Sequence, residues 1–228
     1  MAPGDIRRGV RLTLTRERVV QAAVELADRE GIPPLTMRSL ARHVGVEAMS
    51  LYHHVANKDD LLDGMVDLVF SEIYMPEVGA DWAGEMRRRS VSGREALKRH
   101  PWAVGLMDSR RAPGGETLRH HDAVLGCLRA ADFSWEMAGH AFAVLDAHLY
   151  GFMVQETSLP FQGPDEAHEL AGRLFGDLRP DALPHLVEFA TNHVLQPGYD
   201  FGDEFGFGLE LILEGLERRR ARDSVAGC

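Results

Sequence analysis

Apolar positions return every three or four residues through most of the chain, and no stretch keeps the two-residue alternation of a half-buried strand. In the run that begins at Thr15, Val19, Ala23, Leu26 and Ala27 share one helical face; Thr15 suits an N-cap, and Gly31, Pro33 and Pro34 end the helix. A second short helix is predicted after the N-cap Thr36, with Leu40, Ala41 and Val44 as its buried stripe and Gly45 as its stop. A third begins near Glu47 and is predicted to reach about Val55. Three short helices divided by Gly and Pro turns make one small unit.

Asn57 then caps a long helix whose first turn carries Asp59 and Asp60, where negative charge complements the helix dipole. Its apolar residues, among them Leu61, Leu62, Met65, Val69 and Ile73, cover more than a narrow stripe, so it is expected to be packed on two sides and to link head to body. Helices are predicted from Trp82 to His100, Trp102 to Asp108 and Glu116 to Ala130, punctuated by Pro101, Pro113, Gly114 and Gly115. The longest follows the N-cap Ser134 and is apolar or small almost all round, so something besides its own core must cover it. Residues 158–180 read as a loop-rich excursion around one short helix. A helix from about Asp181 to Leu195 and an amphipathic one ending in Arg218, Arg219 and Arg220 close the chain. The fold class expected is all-α, with an N-terminal three-helix unit and a helical body, divided at residues 1–58 and 59–228.

Composition changes this picture little until charge is mapped. The 228 residues are 45% hydrophobic and 26% charged, with no apolar run of the roughly 18 residues a membrane span needs and no secretion signal. Two cysteines, Cys127 and Cys228, form no disulfide framework, and a cytoplasmic protein is expected. Net charge is -10, but residues 1–58 hold nine Lys or Arg against six Asp or Glu, a balance of +3, and residues 59–228 sixteen against twenty-nine, or -13. If nucleic acid is a partner, only the head can meet it.

The stretch "SLYHHVANK", residues 50–58, sets Tyr52, His53, His54 and Lys58 just after a glycine turn. Alone it could be a metal site, a catalytic histidine pair or a phosphate-seeking surface. Helix, turn and helix with glycine in the turn is the arrangement that lays a second helix in the major groove of DNA. On that reading Glu47 to Tyr52 is the recognition helix. Ala48, Met49 and Ser50 face base edges, Tyr52, His53 and His54 reach phosphates or a thymine methyl, and Lys58 binds phosphate at a helix N-terminus.

The run "LTxRxLAxxxGVxxxxLYxHVxxKxxLL", as it stands from Leu35 to Leu62, resembles the DNA-binding domain of the TetR family of repressors. The stretches "FSWEMAGHAFAVLDAHLYGF" and "FGFGLELILEGLER" are similar to the two dimerisation helices of its tetracycline-repressor branch. The resemblance implies a homodimer that grips a palindromic operator on double-stranded DNA and is released by a small-molecule effector. It adds Arg38 to the DNA contacts, and it implies that Tyr74, Arg89, Met107 and Gln155 lie near the effector. Ala48 stands where that branch reads a base with glutamine, and Ala48 and Met49 cannot make a bidentate bond to a base, so a different operator is expected. Met107 stands where the branch has a metal-coordinating histidine. A thioether is a poor magnesium ligand, so tetracycline with its metal is an unexpected effector.

No metal or cofactor is otherwise expected: His120 and His121 are adjacent and point apart, and Glu136 and His140 stand alone at four-residue spacing. Nucleophile-elbow, metalloprotease, Walker and dinucleotide motifs are absent, which weighs against an enzyme. The competing readings are a helical small-molecule-binding enzyme or an interaction module that does not bind DNA.

Overall fold

The computed structural model describes residues 13–107, 109–161 and 182–226, with positions 166, 168–170, 172 and 173 between the last two spans. Every regular element among them is helical. α1 (Arg16–Glu30) starts where Thr15 accepts the Arg18 N–H at 3.3 Å, and α2 (Met37–Val44) starts on a reciprocal cap between Thr36 and Ser39. Gly45 stops α2 at φ 77°, ψ 35°, a left-handed conformation that a side chain would strain.

α3 (Ala48–Leu51) is shorter than its hydrophobic pattern predicts: residues 52–54 form a turn, so Tyr52, His53 and His54 lie beyond the helix and not on it. The cause is tertiary. Arg16 on α1 donates to the His54 carbonyl at 3.1 Å, and Asn57, in extended backbone, must cap the next helix by accepting the Asp60 N–H at 2.9 Å.

α4 (Lys58–Ser71) belongs to two cores. Leu61, Leu62 and Met65 pack with Val19, Leu40 and Leu51 of the head, while Val66, Val69 and Phe70 join the body. The body comprises α5 (Trp82–Arg99), α6 (Gly115–Ala130), α7 (Trp135–Ser158), α8 (Pro184–Phe189) and α9 (Asp203–Ala226). Gly93 lets α5 lie against α7, since a Cβ there would sit 2.9 Å from Leu149 Cδ2.

Two further expectations are corrected. The segment from Trp102 is not a helix reaching Asp108: Pro101–Ala103 is a single 3-10 turn followed by irregular turns through Met107, and Asp108 lies outside the described residues. Here the chain serves as a plug, with Trp102 and Leu106 packed against both cores. The helix expected to reach Leu195 is α-helical only to Phe189; Ala190–Val194 widens into a π turn in which the Leu195 N–H reaches the Ala190 carbonyl at 2.8 Å. Side chains take nearby carbonyls in its place, Asn192 that of Glu188 and Gln196 that of Thr191. Of the excursion expected at 158–180, most lies outside the described residues; positions 166, 168–170, 172 and 173 are helical.

Candidate DNA interface and effector site

The candidate DNA contacts fall on α2, on α3 and the turn after it, and at the start of α4. Met49 is 72% exposed and Tyr52 45%; Arg38 and His53 are exposed, and Ala48, Ser50, His54 and Lys58 are half-buried. The side chains of Arg38, Tyr52 and Lys58 have no hydrogen-bond or ionic partner among the described residues, so their donors face solvent. Lys58 opens α4, where backbone N–H groups and the helix dipole already favour an anion.

The backbone of this region is held by an ion pair that the sequence pattern did not reveal. Arg16 donates Nη1 to Asp60 Oδ2 at 3.0 Å and Nη2 to Oδ1 at 2.6 Å, and Asp60 Oδ2 also accepts the Ala56 N–H at 2.7 Å. Hydrogen bonding to Arg16 keeps the Asp60 carboxyl below its ordinary range despite partial burial. Thus α1 and α4 clamp residues 54–60 by both backbone and side chain.

The head joins the body through His100. Its Nδ1 lies 2.8 Å from Asp28 on α1 and its Nε2 3.2 Å from Glu72 just past α4; Trp102 donates to Asp28 at 2.7 Å and Arg99 to Glu72 at 2.7 Å. Burial raises the Glu72 carboxyl, but Arg99 and the charge and hydrogen bond of His100 outweigh it, leaving it below the ordinary value. No sequence signal marks this joint, because its members are scattered over 75 positions, from residue 28 to residue 102.

The four effector candidates fall in different surroundings. Arg89 is 1% exposed within the body and pairs with Asp146 on α7 at 2.6 Å. Met107 is buried and lines a cleft of about 160 Å³ with Val66, Arg110, Thr117 and His121. Tyr74 is half-buried, with the Arg88 guanidinium 5.1 Å above its ring. Gln155 is exposed on α7. Asp146 and Ser90 are buried polar residues that sequence reading missed, and His120 is buried as well; periodicity places a residue inside but does not say which polar group it meets.

His120 is wholly buried, and burial first, then the charges of Arg89 and His121, push its pKa down to about 3. It touches Phe70, as does His121. Glu136 and His140 lie 3.7 Å apart on the surface, and among the described residues no group of three or more His, Cys, Asp or Glu could share a metal ion. No described helix is long and apolar enough to cross a membrane.

α7 and α9 expose apolar side chains away from the core. On α7, Val144 and Val154 are exposed with Ala143, Ala147 and Gly151 at the same helical face; on α9, Phe207 is 66% and Leu211 52% exposed.

Comparison with known proteins bears on both halves. The family described as bacterial regulatory proteins, tetR family, matches residues 19–65, and the tetracyclin repressor-like C-terminal domain matches residues 75–220. An HTH-type transcriptional regulator of Saccharopolyspora erythraea is 37% identical over 145 residues, 63% of this chain and 61% of that protein, so that match spans less than two thirds of the relative. The HTH-type transcriptional repressor DrrR1 of Streptomyces coeruleorubidus is 31% identical over 92% of this chain and 80% of its own. Among solved structures, ActR of Streptomyces coelicolor in complex with actinorhodin superposes with a TM-score of 0.75 at 28% identity, covering 91% of this chain and 99% of that one.

Proposed function

Because the chain belongs to the TetR family of bacterial regulatory proteins, we propose that it is a cytoplasmic, dimeric repressor that holds a near-palindromic operator and lets go when a small molecule enters its body. The observation that carries this is the row from Ala48 to Lys58, with its unpaired Tyr52 and Lys58 turned to solvent and its backbone clamped by Arg16 and Asp60. Preorganised donors on a rigid turn meet DNA without first paying to be ordered.

On this reading the working units are residues 1–58 and 59–228, with α4 as the lever between them. Arg38 and Lys58 take phosphates, Ala48, Met49 and Ser50 meet base edges, and Tyr52, His53 and His54 lie along the groove wall. Neither Ala48 nor Met49 can form a bidentate bond to a base, so apolar contact and DNA shape carry much of the preference. Dimerisation through the exposed apolar faces of α7 and α9 sets two heads about 34 Å apart, one turn of DNA, and makes the operator two-fold symmetric.

The effector acts near Tyr74, Arg89, Met107 and Gln155, without a metal, since Met107 supplies no hard ligand. α4 runs from the head core into the body core, so a ligand that shifts Val66 or Phe70 turns Lys58 and the head with them. Such coupling is commonly worth about 1 to 3 kcal/mol.

Selection of the purified protein on random duplexes at two salt concentrations tests the reading. A palindromic consensus with steep salt dependence is the expected result; a folded dimer that enriches no sequence overturns it.

A further inference from the structure

His100 closes α5 just before Pro101, and its side chain is 8% exposed. Nδ1 lies 2.8 Å from Asp28 Oδ1 on α1, and Nε2 lies 3.3 and 3.2 Å from the two carboxylate oxygens of Glu72, just past α4. Ionised carboxylates accept hydrogen bonds and donate none. A neutral imidazole has one N–H and one bare lone pair, so it can bond to one of these neighbours and must turn the lone pair on the other. Only the imidazolium, with a hydrogen on each nitrogen, makes both bonds at once.

The charges around the ring favour that form. Among the described residues α1 presents Asp28, the end of α4 presents Glu72, and α5 adds Arg99, which donates to Glu72 at 2.7 Å. Arg99 and His100 keep the Glu72 carboxyl below its ordinary value, so it does not take the ring's proton. Asp28 also accepts the Trp102 indole N–H at 2.7 Å and is held as an acceptor in the same way. α7 brings the uncharged Thr157 to the cleft beside Asp28 and Trp102, and Lys98 lines a different cleft with Arg94 and Glu156. Two carboxylates against one arginine leave a net negative charge at the joint, which a proton on the imidazole cancels.

We propose that His100 is a proton-operated clasp between head and body: as imidazolium it ties α1 to the end of α4 and to α5, and on releasing one proton to solvent it keeps Asp28 and lets go of Glu72. The bond kept is the shorter of the two. α1 then stays on α5, while the end of α4 comes free of both. The clasp itself stands on the fold; its consequence for DNA rests on the regulator reading, in which α4 carries a movement of the body to the head. A joint slackened at its end transmits less of that movement, so a rise in pH uncouples the body from the operator.

Two measurements on the intact protein without DNA test this. Nitrogen-15 spectra of histidine-labelled protein, with the His100 signals identified by their loss in His100→Gln, should show both ring nitrogens bearing hydrogen at about pH 7 and one bare at about pH 9. Over that range amide protection in the last turn of α4, corrected for the intrinsic exchange rate, should fall at least about tenfold. In Glu72→Gln the new amide can donate to a bare Nε2 while its oxygen still accepts from Arg99, so protection should stay level with pH. If His100→Gln does not fold, the ring signals that shift in Asp28→Asn identify His100. One bare nitrogen at about pH 7, two hydrogens still present at about pH 9, or protection that falls equally in Glu72→Gln or not at all overturns the inference. Because no DNA is present, such a failure leaves the regulator reading standing, and a failure of duplex selection leaves the clasp standing.

Discussion

Arg16 and Asp60, 44 positions apart, form a two-bond ion pair at 2.6 and 3.0 Å that ties the first helix to the first turn of α4. The same guanidinium holds the His54 carbonyl, so the pair fixes where α3 ends. Both partners are partly exposed, and such a pair contributes at most about 1 kcal/mol to stability. Arg16→Ala should therefore lower DNA affinity about tenfold while costing no more than about 1 kcal/mol in a denaturant melt. Equal loss of affinity and of global stability, with the folded fraction accounting for all missing binding, would contradict the role as a clamp.

Phosphate and base contacts separate by their signatures. Lys58→Ala should weaken binding to all duplexes alike and reduce the salt slope by roughly one, whereas Tyr52→Ala should change which sequences are retained. An unchanged sequence profile for Tyr52→Ala removes it from readout.

The apolar faces of α7 and α9 make a separate prediction. Val144→Glu combined with Leu211→Glu puts buried charge into a dimer interface and should yield folded monomers by sedimentation, with duplex affinity down at least about a hundredfold because each head binds alone. A dimer that persists moves the interface elsewhere.

His120 makes stability depend on pH. Its folded-state pKa of about 3 lies below the ordinary 6.5, so between those values the unfolded chain binds a proton that the folded one does not. Stability must then fall as pH drops through that window, by up to about 1.4 kcal/mol per pH unit. Asp60, Glu72, Glu210 and Glu217, all lowered by hydrogen-bonded partners, add to the loss only near and below the ordinary carboxylate value of about 4. His120→Gln should flatten the slope between about pH 5 and pH 6.5, read by thermal melts; an unaltered slope would place the protonation elsewhere.

The joint at His100 makes a last prediction. Asp28→Asn weakens its bonds to His100 and Trp102 while leaving the DNA face untouched. Operator affinity should change less than about threefold, and the drop in affinity caused by effector should shrink, because head and body are less firmly coupled. Full effector response in this variant would assign the coupling to α4 alone.

The head was legible because its signals are local. Thr15, Thr36 and Asn57 cap, Gly31 and Gly45 stop, and the apolar spacing between them places α1, α2 and the start of α4 within a residue or two. The all-α class and the long, broadly apolar α7 follow from the same period. What the pattern could not reach depends on groups far apart in the chain. α3 stops at Leu51 because Arg16 takes the His54 carbonyl, and the Trp102 segment is a plug because Asp28 and both cores claim it. Likewise, only packing brings Asp146 to Arg89 and Phe70 to His120. Caps and periodicity act over a few residues and are written in order along the chain; ion pairs, helix ends under tertiary pull and buried polar clusters exist only once distant segments meet, and three dimensions decide them.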